Sequence, residues 1–376
     1  MAIASLKSIE LFFRRILNSP SKEFKGKTIH SIQDALTLSP KCKILILRPD
    51  KFGDMIVSLP MLRELRNKYP EATIDIVLGK ANKSLKQQAM RYVNSVLVYD
   101  KSIFGLIQLI RTIRSTMYDV CVDPLDNPST TTGYLSTLSA ATFSVGIYKS
   151  NAHKYSHCVI AKNRMDYHIV ERTAQVLLAF GINPENVRLE CEYNISNEVQ
   201  QRAIAKLENL IAPRTSMIAV NIAGSVANRT MNEDFAIPLI KSIKTMAALH
   251  DVEIVVFGTK HYELILQSIQ QQTACIVAPF TDSFDEFAAM LHCASLIVSP
   301  DTSVVHLAAA WKTPTLCLFC ADNTGTALWT PYHTPHIAII TKGGSINEID
   351  PQKALHGFKE LTGITPFNSI EEQSRR

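Results

Sequence analysis

Residues 43–54, Lys43-Ile-Leu-Ile-Leu-Arg-Pro-Asp-Lys-Phe-Gly-Asp54, decide the fold class of this chain. Lys43–Arg48 is a short run that is apolar throughout between two cations, the pattern of a strand buried on both faces of a parallel sheet. Pro49 ends it, and from Asp54 an apolar pattern of helical period runs to about Lys68. The alternation continues outward. Residues 72–78, 95–98 and 118–122 read as strands, with helices over 82–92 and 104–116. A polar stretch, 183–200, carries Asn183-Pro184 and separates this series from a second one. There the strands are 217–221, 252–257, 275–277, 296–298 and 315–319, with helices over 233–249, 284–293 and 303–311. Alternating strands and helices imply parallel sheets flanked by helices. The prediction is an α/β protein of two doubly wound domains facing across a cleft, with ligands beyond the carboxyl ends of the strands.

Composition agrees. A chain of 376 residues, 46% hydrophobic and 19% charged, has the apolar material for two cores and is not disordered. No run approaches the roughly 18 apolar residues of a membrane span. Residues 1–17 read as a helix with Leu6, Ile9, Phe13, Ile16 and Leu17 on one side, flanked by Lys7, Arg14 and Arg15. Charges interrupt its apolar residues, so it does not read as a signal peptide. The expected layout is an amphipathic basic arm at 1–27, a first domain at 28–195, and a second at 196–376 ending in a helix.

The net charge of +5, from 39 basic and 34 acidic residues, suits an anionic substrate or membrane surface. It lacks the clustered basic stripes of a nucleic-acid binder. The eight scattered cysteines read as buried, reduced thiols of a cytosolic protein. Cys317 and Cys320 form a C-x-x-C, but with no second pair nearby a metal site is not expected.

Three strand-exit loops carry the candidate chemistry. In the first, Asp54 reads either as a helix N-cap or as a cleft-facing general base, and Asp50 and Lys51 are candidate acceptor contacts. The second, Asn221-Ile-Ala-Gly-Ser-Val-Ala-Asn-Arg-Thr230, offers Gly224, Ser225 and the cation Arg229 to a phosphate. It matches neither the dinucleotide fingerprint nor the P-loop. The third, Val298-Ser-Pro-Asp-Thr-Ser-Val-Val-His306, puts Asp301, Thr302 and Ser303 at a helix start, where backbone N–H groups and the helix dipole favour an anion such as pyrophosphate. His306 follows within about a turn. Capping by Asp301 or Thr302, and a core role for His306, are the plainer alternatives.

These loops, in this order, resemble the lipopolysaccharide heptosyltransferases of glycosyltransferase family nine. The resemblance rests on Ile44 through Pro60, on Asn221-Ile-Ala-Gly-Ser with Asn228-Arg229, and on Phe284 through Pro314. Secondary matches are 118–126, Val145-Gly146 and His168-Ile-Val-Glu-Arg172. The resemblance implies a glycosyltransferase-B fold of two Rossmann-like domains, with the acceptor on the first and ADP-heptose on the second. It implies inverting transfer, and since the chain has no Asp-x-Asp pair for a divalent metal, metal-independent chemistry without a cofactor is expected. The acceptor would be a lipid A-Kdo or lipopolysaccharide core, at the inner face of the inner membrane. Asp54 falls at the base; Gly224, Ser225, Arg229, Asp301, Thr302, Ser303 and His306 fall on the diphosphate and heptose. Gly258 and Glu263 approach the adenosine ribose. The family usually has glycine where Ser303 stands, and its Lys-Arg-Trp run is reduced here to Asn228-Arg229-Thr230. Two other classes remain open: a nucleotide-sugar epimerase of the same architecture, and a non-catalytic nucleotide-binding protein.

Overall fold

The computed structural model describes residues 23–212, 215–247, 252–320, 326–363 and 370. The helix expected over 1–17 lies outside the described residues. The chain divides into two compact units. One comprises the residues up to Asn163 together with Ile169–Leu189; the other comprises Arg164–His168 and the residues from Glu190 onward.

The first unit is built on seven parallel strands: β1 (Lys27–Ile29), β2 (Lys43–Arg48), β3 (Thr73–Gly79), β4 (Ser95–Tyr99), β5 (Val120–Asp123), β6 (Phe143–Ile147) and β7 (His157–Val159). Their order is β1-β7-β6-β5-β2-β3-β4. Its helices are α1 (Phe52–Ile56), α2 (Leu59–Lys68), α3 (Lys86–Ala89), α4 (Ile103–Thr116), α5 (Thr130–Ser139) and α6 (Ile169–Ala174). Leu45 and Leu47 of β2 and Val77 of β3 pack against Leu109 and Ile113 of α4.

The second unit holds β8 (Ser216–Asn221), β9 (Val252–Phe257), β10 (Ile276–Val277), β11 (Leu296–Pro300), β12 (Thr315–Phe319) and β13 (His336–Ile340), in the order β10-β9-β8-β11-β12-β13. The helices are α7 (Asn197–Glu208), α8 (Glu233–Ala247), α9 (Glu263–Thr273), α10 (Phe284–His292), α11 (Ser303–Trp311) and α12 (Pro351–Gly363). Phe235 and Leu239 of α8 and Phe358 and Leu361 of α12 cover the apolar strand centres Ile218, Ile254 and Leu316.

Both sheets are parallel throughout, as the alternation predicts. Four strands were not anticipated. β1 and β7 are three residues each, and β6 interrupts its apolar run with Ser144 and Gly146. β13 is apolar but short and lies at a sheet edge. None of the eight cysteines is in a disulfide; seven are buried and Cys320 partly so. Cys320 Sγ donates to the Asn228 carbonyl at 3.3 Å.

The helix expected from Asp54 to Lys68 is broken. Ser58 Oγ donates to the Asp54 carbonyl at 2.8 Å, and Pro60, in the first turn of α2, has no N–H to continue the ladder. The helix also starts earlier than expected, at Phe52 with Lys51 as its N-cap, so Asp54 is the third residue of α1. Asp54 is therefore not a helix cap.

In each unit the chain reverses its direction of travel across the sheet. From β2 it builds β3 and β4 on one side, then returns to place β5 on the other. From β8 it builds β9 and β10, then returns to place β11. Adjacent loops leave in opposite directions at such a switch point and open a crevice at the strand ends. The three candidate loops all leave strands that border these two points: β2, β8 and β11.

Candidate functional site

In the first unit the switch point is organised by Arg48, the last residue of β2, whose side chain is 1% exposed. Its Nε donates to Ser58 Oγ at 2.7 Å and to the Asp54 carbonyl at 3.1 Å. Nη1 donates to Asp50 Oδ2 at 2.9 Å, and Nη2 lies 3.9 Å from Asp54 Oδ1. One buried guanidinium thus fixes the backbone of α1 and holds two carboxylates beside it. Both carboxylates stay reachable, at 19% exposure for Asp50 and 20% for Asp54. Asp50 Oδ1 is nonetheless buried without a hydrogen-bond partner. Burial, opposed by Arg48 and reinforced by the charges of Asp54 and Asp123, pushes the Asp50 carboxyl up to about 7.

The loop is clamped from β3. Buried Asn82 accepts from the Gly79 N–H at 2.8 Å and donates to the Arg48 carbonyl at 3.0 Å. A Cβ on Gly79 would lie 2.5 Å from the Pro49 carbonyl oxygen, so only glycine admits this approach. Lys51 is exposed.

At the end of β5, fully buried Asp123 accepts from Thr132 Oγ1 at 2.8 Å, Lys149 Nζ at 3.1 Å and the Tyr155 hydroxyl. Lys149 also donates to the Leu125 carbonyl at 2.6 Å. The charge on Asp123 and burial together raise the Tyr155 hydroxyl well above its ordinary value, burial being the larger cause. Arg172 of α6 donates from Nε to Asp126 Oδ1 at 2.9 Å, so two of the three secondary sequence matches, 118–126 and 168–172, meet.

In the second unit Asn221, the last residue of β8, reaches Ser299 Oγ at 3.1 Å and Thr302 Oγ1 at 3.4 Å. It joins the β8 and β11 exits. Arg229 Nη1 donates to Asp301 Oδ2, with side chains 28% and 15% exposed. Asp301 is thus a partner of Arg229 and not a cap. Thr302 is the N-cap of α11, accepting from the Val304 N–H at 3.3 Å, and Ser303 is the first helical residue. His306 is buried, its ring 6.0 Å from that of Trp329.

A Cβ on Gly224 would stand 2.1 Å from the Arg229 carbonyl oxygen, so the loop closes on itself only with glycine there. The Gly224 N–H is occupied by Thr230 Oγ1 at 3.2 Å; Ser225 is exposed. Thr230 Oγ1 also meets the Tyr262 hydroxyl at 3.2 Å, which brings in the β9 exit. Glu263 follows as the first residue of α9. Gly258 faces Leu266 and Ile222, so its missing side chain makes room for packing. Asn347 Nδ2 donates to the Thr230 carbonyl at 2.9 Å, closing the far side of the loop.

Sequence reasoning therefore located the loops but missed the residues that hold them: Arg48, Asn82, Asp123, Asn221, Thr230, Tyr262 and Asn347. Only the position of Arg48 and Asn221 at strand ends, and of Asp123 just beyond one, is legible in the sequence.

The fold matches solved glycosyltransferases. A glycosyl transferase family 9 structure from Veillonella parvula DSM 2008 superposes with a TM-score of 0.74 at 18% identity, over 87% of this chain and 98% of that one. The E. coli heptosyltransferase WaaC with ADP gives 0.64 at 18% identity, over 85% of this chain and 98% of that one. The class is a family 9 glycosyltransferase fold of two parallel α/β units. The model of glycosyltransferase family 9 (heptosyltransferase) matches residues 106–355, and this chain belongs to that family. Lipopolysaccharide heptosyltransferase 3 of Escherichia coli (strain K12) is 23% identical over 85% of this chain and 93% of its own length.

Proposed function

We propose that this chain transfers heptose from ADP-heptose to a core sugar of lipopolysaccharide, with inversion at the anomeric carbon. The observation that carries this reading is Asp54: a reachable carboxylate at the β2 exit, released from capping and oriented by a buried arginine. A sugar hydroxyl is a poor nucleophile at neutral pH. Asp54 takes its proton as the hydroxyl oxygen bonds to the anomeric carbon and the bond from that carbon to the diphosphate oxygen breaks. ADP leaves with the bonding pair. Its charge is met by Arg229 and by the start of α11 at Thr302 and Ser303, with Ser225 and His306 beside them. Gly258 and Glu263 border the ribose. Asp50 and Lys51 contact the acceptor. In this reading no metal is required, and transfer proceeds undiminished in EDTA. The work is done at the cytoplasmic face of the inner membrane, with the basic arm at 1–27 contributing peripheral contact.

The test is ADP release from ADP-heptose in the presence of defined truncated lipopolysaccharide acceptors. Release that depends on one acceptor, with the product gaining one heptose, supports the reading. Conversion of the sugar nucleotide without acceptor, or binding without turnover, sinks it.

A further inference from the structure

We propose that the N-terminal end of α4 is a membrane-docking surface that seats this chain on a bilayer containing anionic phospholipid. The buried side of α4 sends Leu109 and Ile113 into the core. On the outer side Ile103, Phe104 and Ile107 are 81%, 78% and 45% exposed. At about 100° per residue these three share one arc of roughly 100° with Arg111 and Arg114. Large apolar side chains scattered singly over a surface are ordinary; three on consecutive turns at one tip mark an interaction site.

Cations outnumber acids around the tip. From Lys101 to Tyr118 the chain contains Lys101, Arg111 and Arg114 and no acid. Lys80, exposed, donates its N–H to the Tyr99 carbonyl at 3.1 Å, which sets it beside the same end. The nearest acid, Asp100, is engaged: its carboxylate accepts from the Ser102 N–H at 2.9 Å and hydroxyl at 2.8 Å. A helical rise of about 1.5 Å per residue puts Arg111 roughly 12 Å along the axis from Ile103. Apolar faces of interfacial helices sink about 5–10 Å into the headgroup and acyl boundary, so a tilted α4 would bury its tip while Arg111 reaches lipid phosphates; Arg114 Nε donates to the Leu138 carbonyl at 2.9 Å. Charge complementarity selects the occupant. A second copy of this chain would bring two cationic rims together, whereas an anionic bilayer satisfies both the apolar tip and its rim. The proposal rests on the heptosyltransferase reading only for its purpose, that of reaching a lipid-anchored acceptor.

The experiment is co-sedimentation of the full chain with vesicles of phosphatidylglycerol and phosphatidylethanolamine, against phosphatidylcholine alone, without donor or acceptor. Wild type should partition onto the anionic vesicles and lose binding as salt rises. An Ile103→Ser/Phe104→Ser variant should partition at least about tenfold more weakly. Lys101→Gln and Arg111→Gln should each cost about fivefold. Circular dichroism and turnover on a water-soluble acceptor fragment should stay at wild-type level. Equal binding to both vesicle types, or unchanged binding of the serine variant, overturns the proposal. So does a serine variant whose only change is a smaller oligomer in sedimentation velocity, which would make the tip a self-association surface. A chain that shows the predicted vesicle pattern but transfers no heptose leaves the docking surface standing and removes the functional reading instead.

Discussion

Arg229 Nη1 donates to Asp301 Oδ2, tying the loop after β8 to the loop after β11 across the switch point of the second sheet. The pair accounts for an acid in a loop that the proposed function assigns to the donor diphosphate. Under the proposed reading Asp301 would repel a diphosphate by itself, but as the partner of Arg229 it aims the guanidinium.

Arg229→Gln should therefore weaken ADP binding by about tenfold or more, since a charge-assisted hydrogen bond contributes on the order of 1.5–3 kcal/mol. Asp301→Ala should raise the Michaelis constant for the donor by a smaller factor, because the cation remains but is no longer aimed. Calorimetric titration with ADP checks both. Unchanged ADP affinity in both variants would remove the pair from the donor site.

Asp54→Asn tests the proposed base. Asparagine keeps the shape of the side chain, and α1 does not depend on residue 54 for its cap. Turnover should fall at least about a hundredfold with melting temperature and ADP affinity near wild type. If most of the turnover survives, the base lies elsewhere, and Asp50 is the next carboxylate on the same arginine.

Asp50 should make stability depend on pH in an unusual direction. Its carboxyl is pushed from 3.8 to about 7, so the folded state binds the proton more tightly than the unfolded state. Between about pH 4 and pH 7 the native protein then carries the extra proton, and stability declines as pH rises through that window. Asp50→Asn abolishes this term. Its melting temperature should gain on wild type from pH 4 to pH 7 and hold a constant lead above. A gap that does not vary with pH in scanning calorimetry would show that Asp50 titrates normally.

Asp123→Ala should be the most destabilising of these changes. It strips a common acceptor from Lys149, Tyr155 and Thr132 and leaves a buried cation without its counter-ion. Breaking a buried pair costs about 3–5 kcal/mol. Lys149→Met should cost less, because Asp123 keeps two donors and the new side chain is apolar. Urea denaturation ranks the two; a Lys149→Met variant weaker than Asp123→Ala would contradict the geometry.

Much of the fold is legible because it is written in local pattern. The apolar run Lys43–Arg48, its repeats, and the intervening helices specify parallel sheets, since the periods of burial differ between strand and helix. The helix start at Thr302 and Ser303 is likewise local. The break in the helix after Asp54 is local too, but Ser58 and Pro60 do not announce it in the sequence, because Pro is tolerated in the first turn of a new helix.

By itself, then, the sequence determined two α/β series, the three strand-exit loops and the residue types they carry. Tertiary structure alone decided which of those residues meet. Arg229 and Asp301 are 72 positions apart, Asn221 and Ser299 are 78 apart, and Thr230 and Asn347 are 117 apart. Their contacts follow from strand order, which places β8 beside β11 although two strands separate them in the chain. Periodicity encodes whether a side chain is buried, not which strand lies next to it. The same limit applies to Arg48: its place at the end of β2 is readable, but its burial and its grip on two carboxylates depend on a helix that begins at Phe52 and stops at Ile56.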